Sequence, residues 1–332
     1  MRGEPLPTKE GIVLRAISGG CTVDSDGRLV HCTLRGNLKK QFQYTTSQSF
    51  ARRVTRAKLP HDLDVVAVGD RVRFSETRHG VGVIEEVLPR RTRFSRTGFR
   101  GREQTLVCNI DQLVIVFACA EPRLDPWKLD RFLVAAEAQD LEPLIVANKR
   151  DLVHEEEFRS QFAEYGSLGY RVVPTSAREE QGIDVLRQAL AGRVSAFVGP
   201  SGVGKSSLLN VIQPGLNLRT SEIGHVTYKG RHTTTAAQLI PLRTGGWVAD
   251  TPGPRQLELL DLDREELAFC FPEFRPMLGG CRFDNCRHEA EPGCAVKAAV
   301  EEGRISARRY ESFRILAAEA DAGQGARLPR PV

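Results

Sequence analysis

The sequence predicts a multidomain α/β protein in three parts: a small β-barrel at the front, a parallel-sheet α/β domain in the middle, and a short helical domain around a cysteine–histidine cluster. Three observations carry this reading. Residues 1–104 break into short strand-like runs separated by turn residues. From residue 112 onward, continuous apolar runs alternate with segments of helical spacing, the pattern of a sheet covered on both faces. Three of the eight cysteines then crowd between Cys281 and Cys294 beside a histidine.

Bulk properties set the outer limits. At 332 residues and 41% hydrophobic content, the chain is long enough for several packed cores. No apolar run approaches the roughly 18–20 residues of a membrane span. Met1–Glu10 has no apolar stretch of the secretory type, so the expectation is a cytoplasmic protein, and a monomer by default. The net charge of +5 is uneven: residues 1–104 hold 20 Lys and Arg against 11 Asp and Glu. A basic front end on a near-neutral remainder points to a polyanionic partner.

The barrel rests on the runs Gly11–Ala16, Cys21–Val23, Leu29–Leu34, Asp64–Val68, Asp70–Phe74 and Val81–Val87, with a hairpin expected at Asp24-Ser25-Asp26-Gly27. About five short strands in such a length suit a partly open barrel of the OB type, a common nucleic-acid binder. Two basic clusters, Arg52–Lys58 and Arg90–Arg96, extend this reading. The second carries Phe94, with Phe99 close by, and arginines interleaved with aromatics suit RNA.

In the middle part, Gln112–Ala118 reads as a buried parallel strand, Trp127–Ala138 as a helix and Leu144–Ala147 as the next strand. That strand ends in Asn148-Lys149-Arg150-Asp151, an N-K-x-D sequence. One carboxylate, that of Asp151, can accept from both N1–H and the 2-amino group of guanine, and adenine has no such donor pair. The Lys149 stem would cover the base, while Asn148 would tie loops together. After the run Tyr170–Val173 comes Thr175-Ser176-Ala177, whose Ser176 and Ala177 suit a small-residue loop facing the guanine oxygen.

The strand-like run Val194–Val198 leads into Gly199-Pro200-Ser201-Gly202-Val203-Gly204-Lys205-Ser206, followed by Ser207 and a helix. This is G-x-x-x-x-G-K-S. Glycines let backbone N–H groups and a helix N-terminus wrap a phosphate chain. Lys205 would reach the β- and γ-phosphates, and the Ser206 hydroxyl would bind Mg²⁺. Further along, Gly230-Arg231-His232-Thr233-Thr234-Thr235 has the make-up of a switch segment, with Thr234 as the candidate Mg²⁺ ligand. Trp247–Ala249 then runs into Asp250-Thr251-Pro252-Gly253, a D-x-P-G sequence. There Asp250 would hold Mg²⁺ through water and the Gly253 N–H would meet the γ-phosphate.

These are the parts of a GTPase in an altered order, with N-K-x-D and Ser176-Ala177 ahead of the phosphate loop. Such a circular permutation is feasible where the original chain ends lie close together at the surface. It also sends the chain from the second switch straight into the C-terminal region.

That region opens with Cys281, Cys286, His288 and Cys294, a C-x4-C-x-H-x5-C set. Three thiolates and one imidazole suit a closed tetrahedral Zn²⁺ site with no open position, hence a structural one. Helices are expected over Val296–Val300 and Ser306–Ala318, with exposed Arg304, Arg308, Arg309 and Arg314, and a loose tail from Ala320.

Taken together, N-K-R-D before G-P-S-G-V-G-K-S-S, then G-R-H-T-T-T, D-T-P-G and the cysteine–histidine knuckle resemble the RsgA/YjeQ family over nearly the whole chain. The resemblance implies three domains, 1–104, 105–260 and 261–332: an OB-fold, a circularly permuted GTPase and a zinc-binding module. It further implies GTP hydrolysis stimulated by the small ribosomal subunit, a role in its late maturation, binding through rRNA, and Zn²⁺ at the knuckle. One departure concerns the water-positioning residue. The position after D-x-P-G is Pro254 rather than a glutamine, so intrinsic turnover should be slow. His232 is the candidate to position water, with Gln256 a second. An RNA-binding regulator in which hydrolysis only resets binding is the alternative from another class, and Asp151 argues against an ATPase.

Overall fold

The computed structural model describes residues 7–17, 20–36, 65–77, 81–97, 103–216, 238–250 and 262–325. Two compact units divide the chain. One draws on Met1–Ile110, Gly192–Ala196 and Thr227–Pro252, the other on Asp111–Ala191, Phe197–Val226 and Gly253–Val332.

The first unit is built on a five-stranded barrel of β1 (Thr8–Ile17), β2 (Gly20–Ser25), β3 (Arg28–Leu34), β4 (Arg71–Glu76) and β5 (Gly82–Val87). Pairing runs β1–β2–β3–β5–β4 and returns to β1, with β3–β5 the one parallel pair. This closed order is the OB arrangement expected from the sequence. The β2–β3 turn is Asp26-Gly27, both at positive φ (53° and 82°), as a two-residue hairpin demands. Alternation puts Val13, Cys21, Val23, Val30, Cys32, Val72, Phe74 and Ile84 into the barrel core.

The strand β1 serves two neighbours along one edge. Thr8–Ile12 pair with β4, and then Arg15 pairs with Gln238 of β12 (Gln238–Pro241). Its other edge stays with β2 across a register shift between Val13 and Arg15, a bulge that bends the strand. At Gly11 an added Cβ would sit 2.4 Å from Val23 Cγ1, so a glycine lets β1 and β2 close up. In turn β12 pairs antiparallel with β13 (Trp247–Asp250), which runs parallel to Val194–Ala196 of β11 (Val194–Val198).

A second hairpin, β6 (Arg93–Thr97) and β7 (Glu103–Cys108), is tied to the barrel by Cys108 N–H donating to Val68 O and Asn109 Nδ2 to Gly69 O. Here the basic cluster Arg90–Arg96 departs from the sequence reading. Phe94 is fully buried and offers no face to a base, and Arg90 grips the buried Asp70 in a two-pronged ion pair (2.8 and 2.9 Å). Phe99 and the cluster Arg52–Lys58 lie outside the described residues.

In the second unit β8 (Gln112–Ala118), β9 (Glu142–Asn148) and β10 (Arg171–Pro174) run parallel, in the order β10–β9–β8. Every β8 residue is buried, as its unbroken apolar pattern requires. The helices are α1 (Pro126–Glu137), α2 (Glu155–Ser167), α3 (Ile183–Leu190) and α4 (Lys205–Ile212). Asp125 caps α1 by accepting from Lys128 N–H, with Pro126 in the first turn, where its missing N–H costs nothing.

The C-terminal segment adds α5 (Arg264–Phe269), α6 (Ala295–Glu301) and α7 (Ala307–Gly325). Phe271, Phe274 and Phe313 form its core, with ring centroids 5.1 to 5.7 Å apart, and Val134 of α1 belongs to the same cluster. Two expectations change here. Arg309 is buried and Arg308 half-buried, rather than exposed. Arg309, 1% exposed, donates to Asp130 Oδ1 (2.7 Å) and Glu273 Oε1 (2.6 Å), and lies over the Phe271 ring. Arg308 bridges Asp130 and Glu164, and Ser312 also donates to Asp130. The helix also continues past Ala318 because Asp321 is gripped by Arg264 and Arg287. Arg304 and Arg314 are exposed, as expected, and pair with Glu302 and Glu311.

Removing one member of a buried charge network leaves the others uncompensated, at about 3–5 kcal/mol. Arg309→Met should therefore lower the urea midpoint of unfolding sharply. Arg314→Ala, which removes an exposed pair, should lower the unfolding free energy by no more than about 1 kcal/mol.

Candidate functional site

The site is assembled around Asn148, the last residue of β9 and 1% exposed. Its Nδ2 donates to Val203 O in the glycine-rich loop (2.8 Å). Its Oδ1 accepts from Thr175 Oγ1 and from Ala177 N–H, both at 3.2 Å. One carboxamide thus joins the N-K-x-D turn, the Ser176-Ala177 loop and the phosphate loop. The backbone repeats the tie: Arg150 N–H donates to Thr175 O, and Thr175 N–H to Ala147 O.

Lys149 adopts a left-handed conformation (φ 56°), and its Nζ donates to Glu121 O in the loop after β8. Asp151 lies in a short 3-10 turn, Arg150–Leu152, and is half-buried. The Ser176-Ala177 loop is closed by paired backbone bonds between Ser176 and Gln181, and Ser176 Oγ accepts from Glu179 N–H.

In the phosphate loop, Gly199, Gly202 and Gly204 all have positive φ (138°, 79° and 95°). Two are also fixed by space. A Cβ on Gly199 would lie 2.1 Å from Val116 O, and one on Gly204 would lie 2.3 Å from Asn148 Nδ2. Gly204 precedes α4 without a side-chain cap, so the first N–H groups of the helix remain available to an anion. Lys205 Nζ donates to Gly199 O and Pro200 O (2.8 and 2.7 Å), and burial pushes its pKa down to about 8.

The structure therefore gathers Asn148, Lys149, Asp151, Ser176, Ala177 and the Gly199–Ser207 segment within one unit. Of the remaining expected residues, Asp250 ends β13. His232, Thr234 and Gly253 lie outside the described residues, as do Pro254 and Gln256. Two participants were not singled out from the sequence: Glu121, whose carbonyl holds Lys149, and Thr175, whose hydroxyl orients Asn148. A backbone acceptor leaves no side-chain signature, whereas Thr175 stood beside Ser176 in a legible motif.

The cysteine–histidine set also converges. The ligand atoms of Cys281, Cys286, His288 and Cys294 all lie within 4.8 Å of one another. His288 Nδ1 is 3.5 Å from Cys281 Sγ and 3.4 Å from Cys294 Sγ, and the two sulfurs are 4.0 Å apart. A tetrahedral Zn²⁺ with ordinary bond lengths needs edges of about 3.5 to 3.8 Å, so the cluster can hold such an ion. Backbone donors face two of the sulfurs, and the surroundings favour a neutral imidazole. Ala295 and Lys297 N–H groups point at Cys281 and Cys294 sulfur, and burial holds the His288 pKa below its ordinary value. Tyr310 Oη donates to His288 O (2.6 Å), pinning the knuckle to α7.

A guanine-type N-K-x-D turn laced to a glycine-rich phosphate loop that follows it in sequence defines a circularly permuted GTPase. The comparisons give the family. Residues 87–260 match the RsgA GTPase family and residues 10–84 the RsgA N-terminal domain. The chain is 46% identical over 310 residues to the small ribosomal subunit biogenesis GTPase RsgA of Moorella thermoacetica, covering 93% of this chain and 97% of that one. It is also 46% identical to the protein of that name from Gemmatimonas aurantiaca, covering 91% and 94%. Among solved structures, YjeQ from Thermotoga maritima aligns at TM-score 0.77 and 36% identity, covering 97% of this chain and all of that one. YloQ, described as a circularly permuted GTPase, aligns at 0.72 and 30%, covering 98% of each. The chain belongs to the RsgA GTPase family.

Two predictions follow from the geometry. With Lys205 titrating near pH 8 and charged when phosphates surround it, GDP binding should take up a proton at pH 8 and not at pH 6.5. Affinity should therefore fall as pH rises above 8. Calorimetry in two buffers of different ionisation enthalpy reads that uptake, and Lys205→Arg, permanently charged, should abolish it. At the knuckle, Cys294→Ser should lose bound zinc by elemental analysis and lower the melting temperature. Cys270→Ala, a buried thiol outside the cluster, should retain one zinc per chain.

Proposed function

We propose that this GTPase binds the small ribosomal subunit through its rRNA and acts in late maturation of that particle, hydrolysing GTP with subunit-stimulated turnover. The observation that carries this is the Asn148 junction: it sets a guanine-selective carboxylate and a phosphate loop in one framework, so that one GTP engages both. The printed names of the relatives, and the basic character of residues 1–104, support the ribosomal partner.

In this reading the OB barrel of residues 1–104 contacts RNA, residues 105–260 turn over nucleotide, and residues 261–332 form a zinc-stabilised module. Asp151 accepts from guanine N1–H and its 2-amino group, Lys149 covers the base, and Ser176-Ala177 presents backbone to the guanine oxygen. The N–H groups of Gly199 to Ser207 cradle the phosphates, and Lys205 exchanges its carbonyl partners for the β- and γ-phosphates. Mg²⁺, held by Ser206, Thr234 and, through water, Asp250, would neutralise charge developing on the phosphate oxygens. Gly253 N–H meets the γ-phosphate. His232 positions the attacking water when the subunit is bound, since Pro254 has no side-chain donor or acceptor. The Cys281, Cys286, His288 and Cys294 site carries a structural Zn²⁺. No helix among the described residues is long and apolar enough to cross a membrane. We place the protein in the cytoplasm as a monomer.

The test is GTP hydrolysis by purified protein, alone and with small subunits, with large subunits and ATP as controls. Low basal turnover raised many-fold by small subunits alone is the expected outcome. Equal turnover in every condition would remove the ribosomal assignment.

A further inference from the structure

The outer surface of the barrel is electrostatically divided. Where the first half of β1 meets β4 and β5, cations are matched by carboxylates. Lys9 and Arg28 pair with Glu76, Arg71 and Arg73 with Glu10, and Arg73 also with Glu86. That surface has little net charge to offer a polyanion.

The second half of β1, with β2 and β3, is different. Strand register sets Arg15 opposite Thr22 and Thr22 opposite His31. Directly opposed residues share a face, and the inward positions of β2 and β3 are Cys21, Val23, Val30 and Cys32. Arg15, Thr22 and His31 therefore form one outward row, with Arg15 and His31 exposed. Arg15 makes no ion pair among the described residues. Beside the row stands Gly20, where an added Cβ would come within 3.1 Å of His31 Nε2, so the imidazole edge is left uncovered. At its other end the row continues through the sheet: Arg15 pairs with Gln238 of β12, and Gln238 with Asp250 of β13.

We propose that the Arg15–Thr22–His31 row is a docking site for single-stranded RNA, and that its occupancy is transmitted along β12 to Asp250. The inference rests on the reading of this chain as a GTPase that acts on the small subunit. A guanidinium suits a phosphate, a hydroxyl suits a phosphate or a ribose 2′-OH, and an imidazole ring can stack a splayed base. An acidic peptide would use the cation but has no base for the ring, so RNA fits the whole row. The first three strands of an OB barrel also include the face such barrels present to oligonucleotides. The route to Asp250 is a run of paired strands, in which a shift of β1 must displace β12 or break its pairing.

The probe is a fluorescently labelled oligouridine, titrated by anisotropy against the full chain over a salt series. Arg15→Ala should weaken binding and reduce the steepness of the log–log salt dependence by about 0.7, the loss of one phosphate contact on a single strand. His31→Ala should weaken binding. Arg28→Ala, on the ion-paired surface, should leave both readings unchanged. In parallel, Arg15→Ala should cut small-subunit-stimulated GTP turnover several-fold while turnover without subunits stays at the wild-type rate. Oligouridine affinity and salt slope equal to wild type in Arg15→Ala would overturn the site. Lost RNA binding with full stimulation would overturn the link to Asp250. Failure of subunits to stimulate the wild-type protein would count against the functional reading, while the oligouridine arm still decides the RNA site.

Discussion

The second unit depends on the side chain of Asn148. A carboxamide offers donors on one atom and acceptor capacity on the other, and both are used: Nδ2 for Val203 O, Oδ1 for Thr175 and Ala177. An aspartate would set a negative oxygen against Val203 O. A glutamine, one methylene longer, has no room, since Gly204 already leaves only the space of a missing Cβ beside Nδ2. The positive φ of Gly204 and the length of Asn148 are thus one constraint seen from two sides. The junction is also indifferent to chain order. It joins three loops at the carboxyl ends of strands, and it works equally well when N-K-x-D precedes the phosphate loop.

A second set of contacts carries this order outward. Asp130 is buried and serves Arg308, Arg309 and Ser312 together, while Glu273 completes the guanidinium of Arg309. Burying such charges is poor value as stabilisation, because desolvation offsets most of the Coulomb gain. Its effect here is to admit one placement of α7 against α1. From α7, Tyr310 and Phe313 reach the histidine of the metal cluster. At the other end of α1, the loop that follows β8 supplies the carbonyl that holds Lys149. The N-K-x-D turn and the cysteine–histidine cluster are therefore fastened to a common helix.

Much of this was legible in the sequence where the signal was local. The phosphate loop, the N-K-x-D turn, the hairpin at Asp26-Gly27 and the unbroken apolar strand at 112–118 each state their conformation within a few residues. What misled was charge and aromaticity read without neighbours. Arg308 and Arg309 read as exposed and Phe94 as part of an RNA surface, yet all three meet internal partners. The C-terminal helix was read too short for the same reason, since the alanine-rich stretch after Ala318 is held by Asp321 meeting Arg264 and Arg287.

By itself the sequence determined the kinds of element and the chemistry available: a glycine-rich loop of the G-x-x-x-x-G-K-S type, an N-K-x-D turn, a cysteine–histidine cluster and a small barrel. Each depends on backbone conformations and side-chain types that neighbouring residues dictate. Only the tertiary structure decided which polar groups are committed inside the molecule and which are left for a partner. Asp130 meets Arg309 across 179 residues of chain, and Arg15 keeps its charge free because no carboxylate among the described residues folds against it. Hydrogen bonds and ion pairs act over a few ångströms of space whatever the distance along the chain, so local pattern cannot assign them.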